Sequence, residues 1–411
     1  MNNNNKIMKI NLSYKTELDL NNKQKSQINQ ATGGARFAYN WGLGRRIKLY
    51  EEEKKSTNAI DQHRELTKLK KTDYDWMYLS SKCVFQEALR DLDKGFENFF
   101  RNVKQGKPPG FPKFKSKHNS KQSFRLNGSI HVFNDKIQLP RLGKLNLKEK
   151  GYIPTDEKIL SATVSKHANR YFVSVNIEKE VELPPNISKE TVGIDLGIKD
   201  LAITSAGIHF ENPKTYKKFL KKLKRMQRRL SRKTRGSNNR RKQKEKVAKL
   251  HYKISNIRKD NIHKMTSSVV KAKPQTIVIE DLSARNMMKN HKLAQSIADS
   301  SFGEIRRQFE YKCKWNNINL VIANRWFPSS KLCSGCGFKK EELKLSDRIY
   351  KCNICGLKID RDFNAALNLK EYTASSAGIN ASGEDKAHDS NIRWSSLNEE
   401  FNSKTSELII C

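Results

Sequence analysis

Four cysteines carry the most legible chemistry in this chain. Cys333, Cys336, Cys352 and Cys355 form C-x2-C-x15-C-x2-C, within the spacing of a four-cysteine zinc site. Each C-x-x-C turn brings two thiolates to one side of a metal. Four thiolates close a tetrahedral, structural site with no open position. Gly337 and Gly356 each follow a second cysteine, as tight knuckle turns favour. The alternative is four buried free thiols. Cys83, Cys313 and Cys411 stand apart and read as ordinary thiols.

Three acids supply a second chemistry. "GIDLG" sets Asp195 within an apolar strand, where a charge is expensive unless it binds something, although the same acid near a glycine also suits a turn. "TIVIEDLS" places Glu280 after Ile277-Val278-Ile279, as a strand-end acid or a ligand. Asp362, the second acid of Asp360-Arg361-Asp362, precedes "FNAALNLK", as a helix cap or a ligand. On one α/β core the three can converge. Three neighbouring carboxylates repel strongly at low dielectric and are stable together around cations. Oxygen ligands of this kind select Mg²⁺ or Mn²⁺. Two such ions, about 4 Å apart, can activate a water and stabilise the leaving oxygen in phosphodiester cleavage.

The balance of charge names the substrate class. The chain has 411 residues with 81 Lys+Arg against 43 Asp+Glu, a formal net charge of +38. So much like charge implies a polyanion partner. Hydrophobic residues at 36% still permit real cores, which excludes a disordered basic tail. No apolar run approaches the roughly 20 residues of a membrane span. The start, "MNNNNKIMKI", has no apolar signal core. The expectation is a cytoplasmic, nucleoid-associated protein without a membrane partner, in which the cysteines do not form disulfides.

The elements that must position these residues can be read from their periods. "KIMKINLSY" alternates as a strand, and residues 21 to 104 read helical. In that stretch Val84, Leu89, Leu92, Phe96 and Phe99 recur at helical spacing. "GKPPGFPKFKSKHNSKQSF" breaks the helix. Its Phe111, Phe114 and Phe124 alternate with Lys113, Lys115, Lys117 and Lys121. They suit base stacking with phosphate contact, or they are core aromatics beneath a basic surface. From 129 to 181 the period becomes two, with Asn134-Asp135 as a turn. That predicts a small β-barrel with the helices inserted after its first strand.

Beyond "VELPPNISKE", a strand–turn–strand unit carries Asp195. Residues 214 to 264 then read as a helical hairpin with 22 Lys/Arg and only Glu245 and Asp260 as acids. A run so poor in compensating acids favours phosphate binding over an ordinary solvated face. Arg228, Arg229, Arg232, Lys233, Arg240 and Arg241 cluster around its turn. Leu220, Leu223, Leu230, Val247, Leu250, Ile254 and Ile257 supply its apolar seams. "SFGEIRRQFEYKCKW" sets Phe302, Ile305, Phe309 and Cys313 on one face of a helix. "INLVIANRW" is a strand, and a further helix spans about 363 to 372.

The order of "GGARFAYNW", "GFPKFK", "GIDLGIKDLAI", "IVIEDLSARNM", "FPSSKLCSGCG" and "CNICG…DRDFNAALN" resembles the TnpB family. Its members are transposon-associated RNA-guided nucleases related to type V CRISPR effectors. The resemblance covers about residues 6 to 370. It implies an α/β RuvC-like nuclease core of RNase H type with a zinc-ribbon insertion. It also implies an N-terminal β-barrel wedge domain carrying a helical recognition insert. Carried over residue by residue, the catalytic triad is Asp195, Glu280 and Asp362; the family's acid lies two residues before the Asn, which selects Asp362 over Asp360. The zinc ligands are Cys333, Cys336, Cys352 and Cys355. Lys82 and Gln86, at i and i+4 on one helical face, resemble residues that read a short motif beside the target.

The domains expected are a wedge over 1–14 and 121–187, a helical insert over 15–120, a nuclease over 188–329 and 357–375, a zinc ribbon over 330–356 and a mobile tail over 376–411. The implied partners are a transposon-encoded guide RNA and target double-stranded DNA, with sequence selected by base pairing. The implied activity is Mg²⁺- or Mn²⁺-dependent DNA cleavage. Two other readings remain: a guided DNA-binding regulator that does not cut, and a transposase acting on transposon ends.

Overall fold

The alternation of "KIMKINLSY" runs on past its last residue, and the first strand, β1, covers Ile7–Asp19. The computed structural model describes residues 7–117, 120–343 and 347–375. The expected mobile tail and Cys411 lie outside the described residues. Two compact units are present: one is Asn11–Lys179, and the other runs on from Glu180 and takes in the first residues of β1.

In the first unit the helical stretch divides at its caps. Helix α1 (Asn22–Glu53) starts with a capping box, in which Asn21 Oδ1 accepts from Gln24 N and Gln24 Oε1 accepts from Asn21 N. Asn58 caps α2 (Ala59–Leu69), and Ser81 caps α3 (Lys82–Lys104). The periodic residues Val84, Leu89, Leu92, Phe96 and Phe99 are all buried. Strands β2 (Gln122–Leu126), β3 (His131–Val132), β4 (Lys136–Leu139), β5 (Gly143–Leu147), β6 (Lys158–His167) and β7 (Arg170–Glu182) follow.

With β1 these strands form a seven-stranded sheet in the order β2-β6-β7-β1-β5-β4-β3. The expected β-barrel is not found: among the described residues the sheet is open, with β2 and β3 as edges. Two features account for this. Strand β3 has only two residues, too short a ladder for β2 to close on. The flank of β2 is occupied by α3, through Cys83 Sγ to Asn127 O and the Arg125–Glu87 ion pair.

In the second unit β8 (Thr191–Asp195), β9 (Asp200–Thr204) and β10 (His209–Glu211) lead to α4 (Thr215–Ser231) and α5 (Asn238–Lys271). Then come β11 (Thr276–Glu280), α6 (Ala284–Met287), α7 (His291–Ser300), α8 (Phe302–Trp315) and β12 (Asn319–Ala323). Strands β13 (Ile349–Lys351) and β14 (Lys358–Asp360) form a hairpin before α9 (Arg361–Ser375). The main sheet runs β10-β9-β8-β11-β12, with β8, β11 and β12 parallel.

Both faces of this sheet are covered, so its central strands are apolar throughout, as buried parallel strands are. Ile277 and Ile279 of β11 join the core that includes Ile262, Met265 and Val269 of α5, together with Phe302, Ile305, Phe309 and Cys313 of α8. Val278 points the other way, onto Leu369 of α9. Helices α4 and α5 pack on a seam of Leu223, Val247, Leu250 and Ile254. Helix α5 does not stop near 264. Past that point its apolar residues exchange the partner helix for the sheet.

Candidate active site and cysteine knuckle

Strand register places the first two acids. Ile194 lies opposite Ile279 in the parallel β8–β11 pair. The next residues, Asp195 and Glu280, therefore leave adjacent strands side by side at their carboxyl ends, where open α/β sheets bind ligands. Helix α9 brings the third acid by lying close against β8. A Cβ on Gly193 would overlap the backbone of Ala366 and Lys370 and stand 2.9 Å from the carbonyl carbon of Leu369. Only glycine permits that approach, and it carries Asp362, in the first turn of α9, to the cleft. Asp195, Glu280 and Asp362 line a single cleft of about 660 Å³ with Lys199, Lys214, Lys217, Arg348 and Arg361.

The three carboxylates act on one another. Burial, followed by the charges of Glu280 and Asp362, holds Asp195 well above the usual carboxylate range, and Arg361 opposes this. Burial also raises Glu280, against a hydrogen bond from Ser329 Oγ and the charge of Arg361, while Asp362 adds to the rise. Oxygen donors gathered in this way, with Asp195 and Glu280 held against ionisation, fit divalent cations such as Mg²⁺.

Neighbouring acids have structural duties instead. Asp360 Oδ1 accepts from the backbone N–H groups of Asp362 (2.9 Å) and Phe363 (3.0 Å), so the cap of α9 is Asp360 and Asp362 is released from that role. Asp281, beside Glu280, pairs with Arg306 and Arg325. Each acidic pair thus gives one carboxylate to the framework and one to the cleft.

The four cysteine sulfurs all lie within 4.8 Å of one another. Cys333–Cys355 and Cys336–Cys352 are each 3.5 Å apart. Zn–S bonds of ~2.3 Å in a tetrahedron set sulfur–sulfur edges of ~3.8 Å, so the cluster fits a structural zinc. The backbone N–H groups of Cys355 and Ile354 turn toward Cys352 Sγ, at 3.5 and 3.4 Å. With Cys355's N–H the largest cause, the Cys352 thiol falls to about 6. Gly337 and Gly356 both take φ +73° in the knuckle turns.

Two buried asparagines tie this knuckle to α9. Asn364 Nδ2 donates to Leu332 O (2.6 Å), and its Oδ1 accepts from Ser334 N (3.0 Å). Asn368 Nδ2 donates to Ser329 O (2.7 Å) and Leu332 O (2.8 Å). In the sequence Asn364 served only as the landmark that selects Asp362, and Asn368 was passed over. Their signal was two amides at i and i+4 within the apolar stretch Phe363 to Leu369.

Three family models match this chain. They are described as "Probable transposase", over residues 174–291, "Cas12f1-like, TNB domain", over 302–369, and "Helix-turn-helix domain", over 8–55. The described structure of the last segment is strand β1 followed by the single helix α1. Over 368 residues the chain is 35% identical to the "Putative RNA-guided DNA endonuclease" of Streptomyces pristinaespiralis, covering 88% of this chain and 89% of that protein. Over 375 residues it is 32% identical to the similarly named InsQ of Escherichia coli (strain K12), covering 87% and 91%.

The chain belongs to the TnpB family of RNA-guided DNA endonucleases. Its fold resembles that of Cas12f1 in a cryo-EM complex with sgRNA and target DNA, with a TM-score of 0.52 and 16% identity, over 88% of this chain and 99% of that one. No helix among the described residues is long and apolar enough to cross a membrane.

The other residues expected to bind nucleic acid divide into two groups in this TnpB-family chain. Lys82, Lys113, Arg228, Arg229, Arg232 and Arg241 are exposed, and Gln86 and Lys233 are half-buried. Arg240 Nη1 donates to Leu230 O (2.7 Å) and Lys233 O (2.9 Å), which closes the turn between α4 and α5. Lys115 is held in place by Asn40, which bonds both its N–H and its carbonyl. Its ammonium lies 3.6 Å from the Tyr39 ring centroid. Of the interleaved aromatics, Phe114 is exposed, Phe111 packs on Phe96 and Phe99, and Phe124 is core. The cleft bases Lys199, Lys214, Lys217, Arg348 and Arg361 were not singled out in the sequence, because their meeting depends on the tertiary fold.

Proposed function

We propose that this chain is an RNA-guided, Mg²⁺-dependent DNA endonuclease, directed by an RNA from its own transposon and cutting target DNA beside a short adjacent motif. The observation that carries the reading is the meeting of Asp195, Glu280 and Asp362 in one cleft where their charges oppose one another. These carboxylates would hold the cations. Bound there, Mg²⁺ supplies activation of the attacking water and stabilisation of the leaving oxygen.

The chain's own groups do the positioning. Lys199, Lys214, Lys217 and Arg348 line the same cleft and can grip phosphates on either side of the scissile bond, which orients the strand without reading bases. Arg361 offsets part of the repulsion among the acids. The exposed bases of α4 and α5 follow a phosphate backbone. Target choice then falls to pairing with the guide, and Lys82 and Gln86, on the first turns of α3, read the adjacent motif.

The test is to purify the full chain, sequence the RNA that accompanies it and supply a matching DNA with Mg²⁺. Asp195→Ala should abolish cutting and leave guided DNA binding intact. Loss of RNA and DNA binding together would make Asp195 structural. Activity that survives removal of the RNA would favour a transposase acting on DNA ends.

A further inference from the structure

Trp326 is 85% exposed, an unusual position for the largest apolar side chain. It sits on the segment "ANRWFPSSK" between β12 and the knuckle. The surrounding turn is firmly built. Asn324 Oδ1 accepts from Trp326 N (2.9 Å), and Asn324 O accepts from Phe327 N (2.9 Å). Phe327 is anchored edge-on to Tyr372, with centroids 4.8 Å apart, and the Tyr372 hydroxyl accepts from Asn324 N. On the other side Arg325 is engaged by Asp281. Phe327 is thus fixed inward and Arg325, itself exposed, is tied to Asp281, while the indole stands in solvent.

Its location gives the exposure a use. Trp326 lines a depression of about 420 Å³ with Asn324, Phe327, Lys331, Lys339 and Glu280. Glu280 and Ser330 also line the acidic cleft, so the two hollows share a wall. An aromatic ring flanked by lysines beside a phosphodiester-cleaving site has the chemistry of a base-stacking platform.

Resting on the nuclease reading above, we infer that Trp326 stacks on a nucleobase of the single DNA strand entering the cleft, and so sets the scissile phosphate against Asp195, Glu280 and Asp362. Trp326 is a positioning residue here. Stacking tolerates any base, as a guided nuclease requires, because every base has a π-face.

The test compares Trp326→Ala, Trp326→Phe and wild type as full-length complexes with the co-purifying RNA, on a matched DNA. Losing one stacked base should slow cutting by about tenfold. Guide-RNA binding and guided DNA binding should not change, and Trp326→Phe should retain most of the rate. A 2-aminopurine placed near the cut should be quenched on binding to wild type and not to Trp326→Ala. The inference falls if Trp326→Ala cuts as fast as wild type, if Phe fails as badly as Ala, or if Trp326→Ala loses its guide RNA, which would assign the indole to RNA. If wild type itself does not cut, the nuclease reading falls first and this one with it.

Discussion

Two sites in one unit gather anionic groups with different donors. The knuckle draws four sulfurs into near-tetrahedral contact and turns backbone N–H groups onto Cys352. The cleft draws three carboxylates to one place and leaves Asp195 and Glu280 hard to ionise. The first arrangement lowers Cys352 but raises Cys336 and Cys355; a zinc would close it into a site whose work is to hold shape. The second keeps its charges in conflict, which is useful only where cations and a phosphate are to be bound. The two are joined by Asn364 and Asn368, which fix the knuckle's first loop to the helix that carries Asp362.

The sharpest way to break this comparison is to exchange the roles of neighbouring acids. Asp362→Ala should lower guided DNA cutting by about 10³-fold or more, the loss expected when several kcal/mol of cation-based stabilisation is removed. Asp360→Ala removes a helix cap, costing about 1 kcal/mol, and should reduce cutting only severalfold. Cleavage rates of the two variants, with circular dichroism as a check on folding, decide it. Equal losses would undo the assignment.

A second test moves the helix and leaves the acids alone. Gly193→Ala places a methyl against the backbone of α9, which cannot yield as a side chain can. Overpacking of this kind costs about 1–3 kcal/mol or more. The expectation is a lower melting temperature together with a loss of cutting beyond tenfold, although every carboxylate remains. A fully active variant would mean that α9 need not touch β8.

The knuckle is tested through its link. Asn364→Ala strands the Ser334 N–H and leaves the Leu332 carbonyl to Asn368 alone, a penalty of about 1–3 kcal/mol. Cutting should fall about tenfold, in the range seen for groups that support a metal site's ligands, while zinc content, measured by a colorimetric chelator, stays at that of wild type. If cutting is unchanged, the knuckle does not position Asp362.

Much of this was legible in the sequence because the information was local. The C-x-x-C spacing, the apolar runs before Asp195 and Glu280, and the periodic faces of α3 and α8 each depend on residues a few positions apart. The open sheet was not legible: whether β2 and β3 meet depends on the two-residue length of β3 and on α3 lying against β2, both tertiary facts. Arg240 was read as a phosphate contact because composition cannot distinguish a solvent-facing arginine from one that caps a turn. Asp360 and Asp362 were told apart in the sequence only by the family resemblance; the role of Asp360, which receives the N–H groups of α9, needed the backbone.

The smallest effect bears most directly on the contrast between the sites. Asp195 has its folded-state pKa raised by burial and by Glu280 and Asp362. The folded state therefore keeps a proton that the unfolded chain releases near its ordinary value of about 4. By linkage, stability falls as pH rises from that value through the raised one. In metal-free protein at neutral pH, Asp195 is a net liability. Asp195→Asn removes it, and a relief of about 1 kcal/mol should raise the melting temperature by roughly 2–4 °C in a unit of this size. The advantage should shrink as pH is lowered toward 4. Adding Mg²⁺ should reverse the order, since wild type gains from binding and the variant has lost a ligand. Differential scanning fluorimetry across pH, with EDTA and then with Mg²⁺, measures all three. A variant less stable than wild type in EDTA at pH 7 would mean that the carboxylates are held by contacts stronger than their mutual repulsion, and that the cleft is complete without its ions.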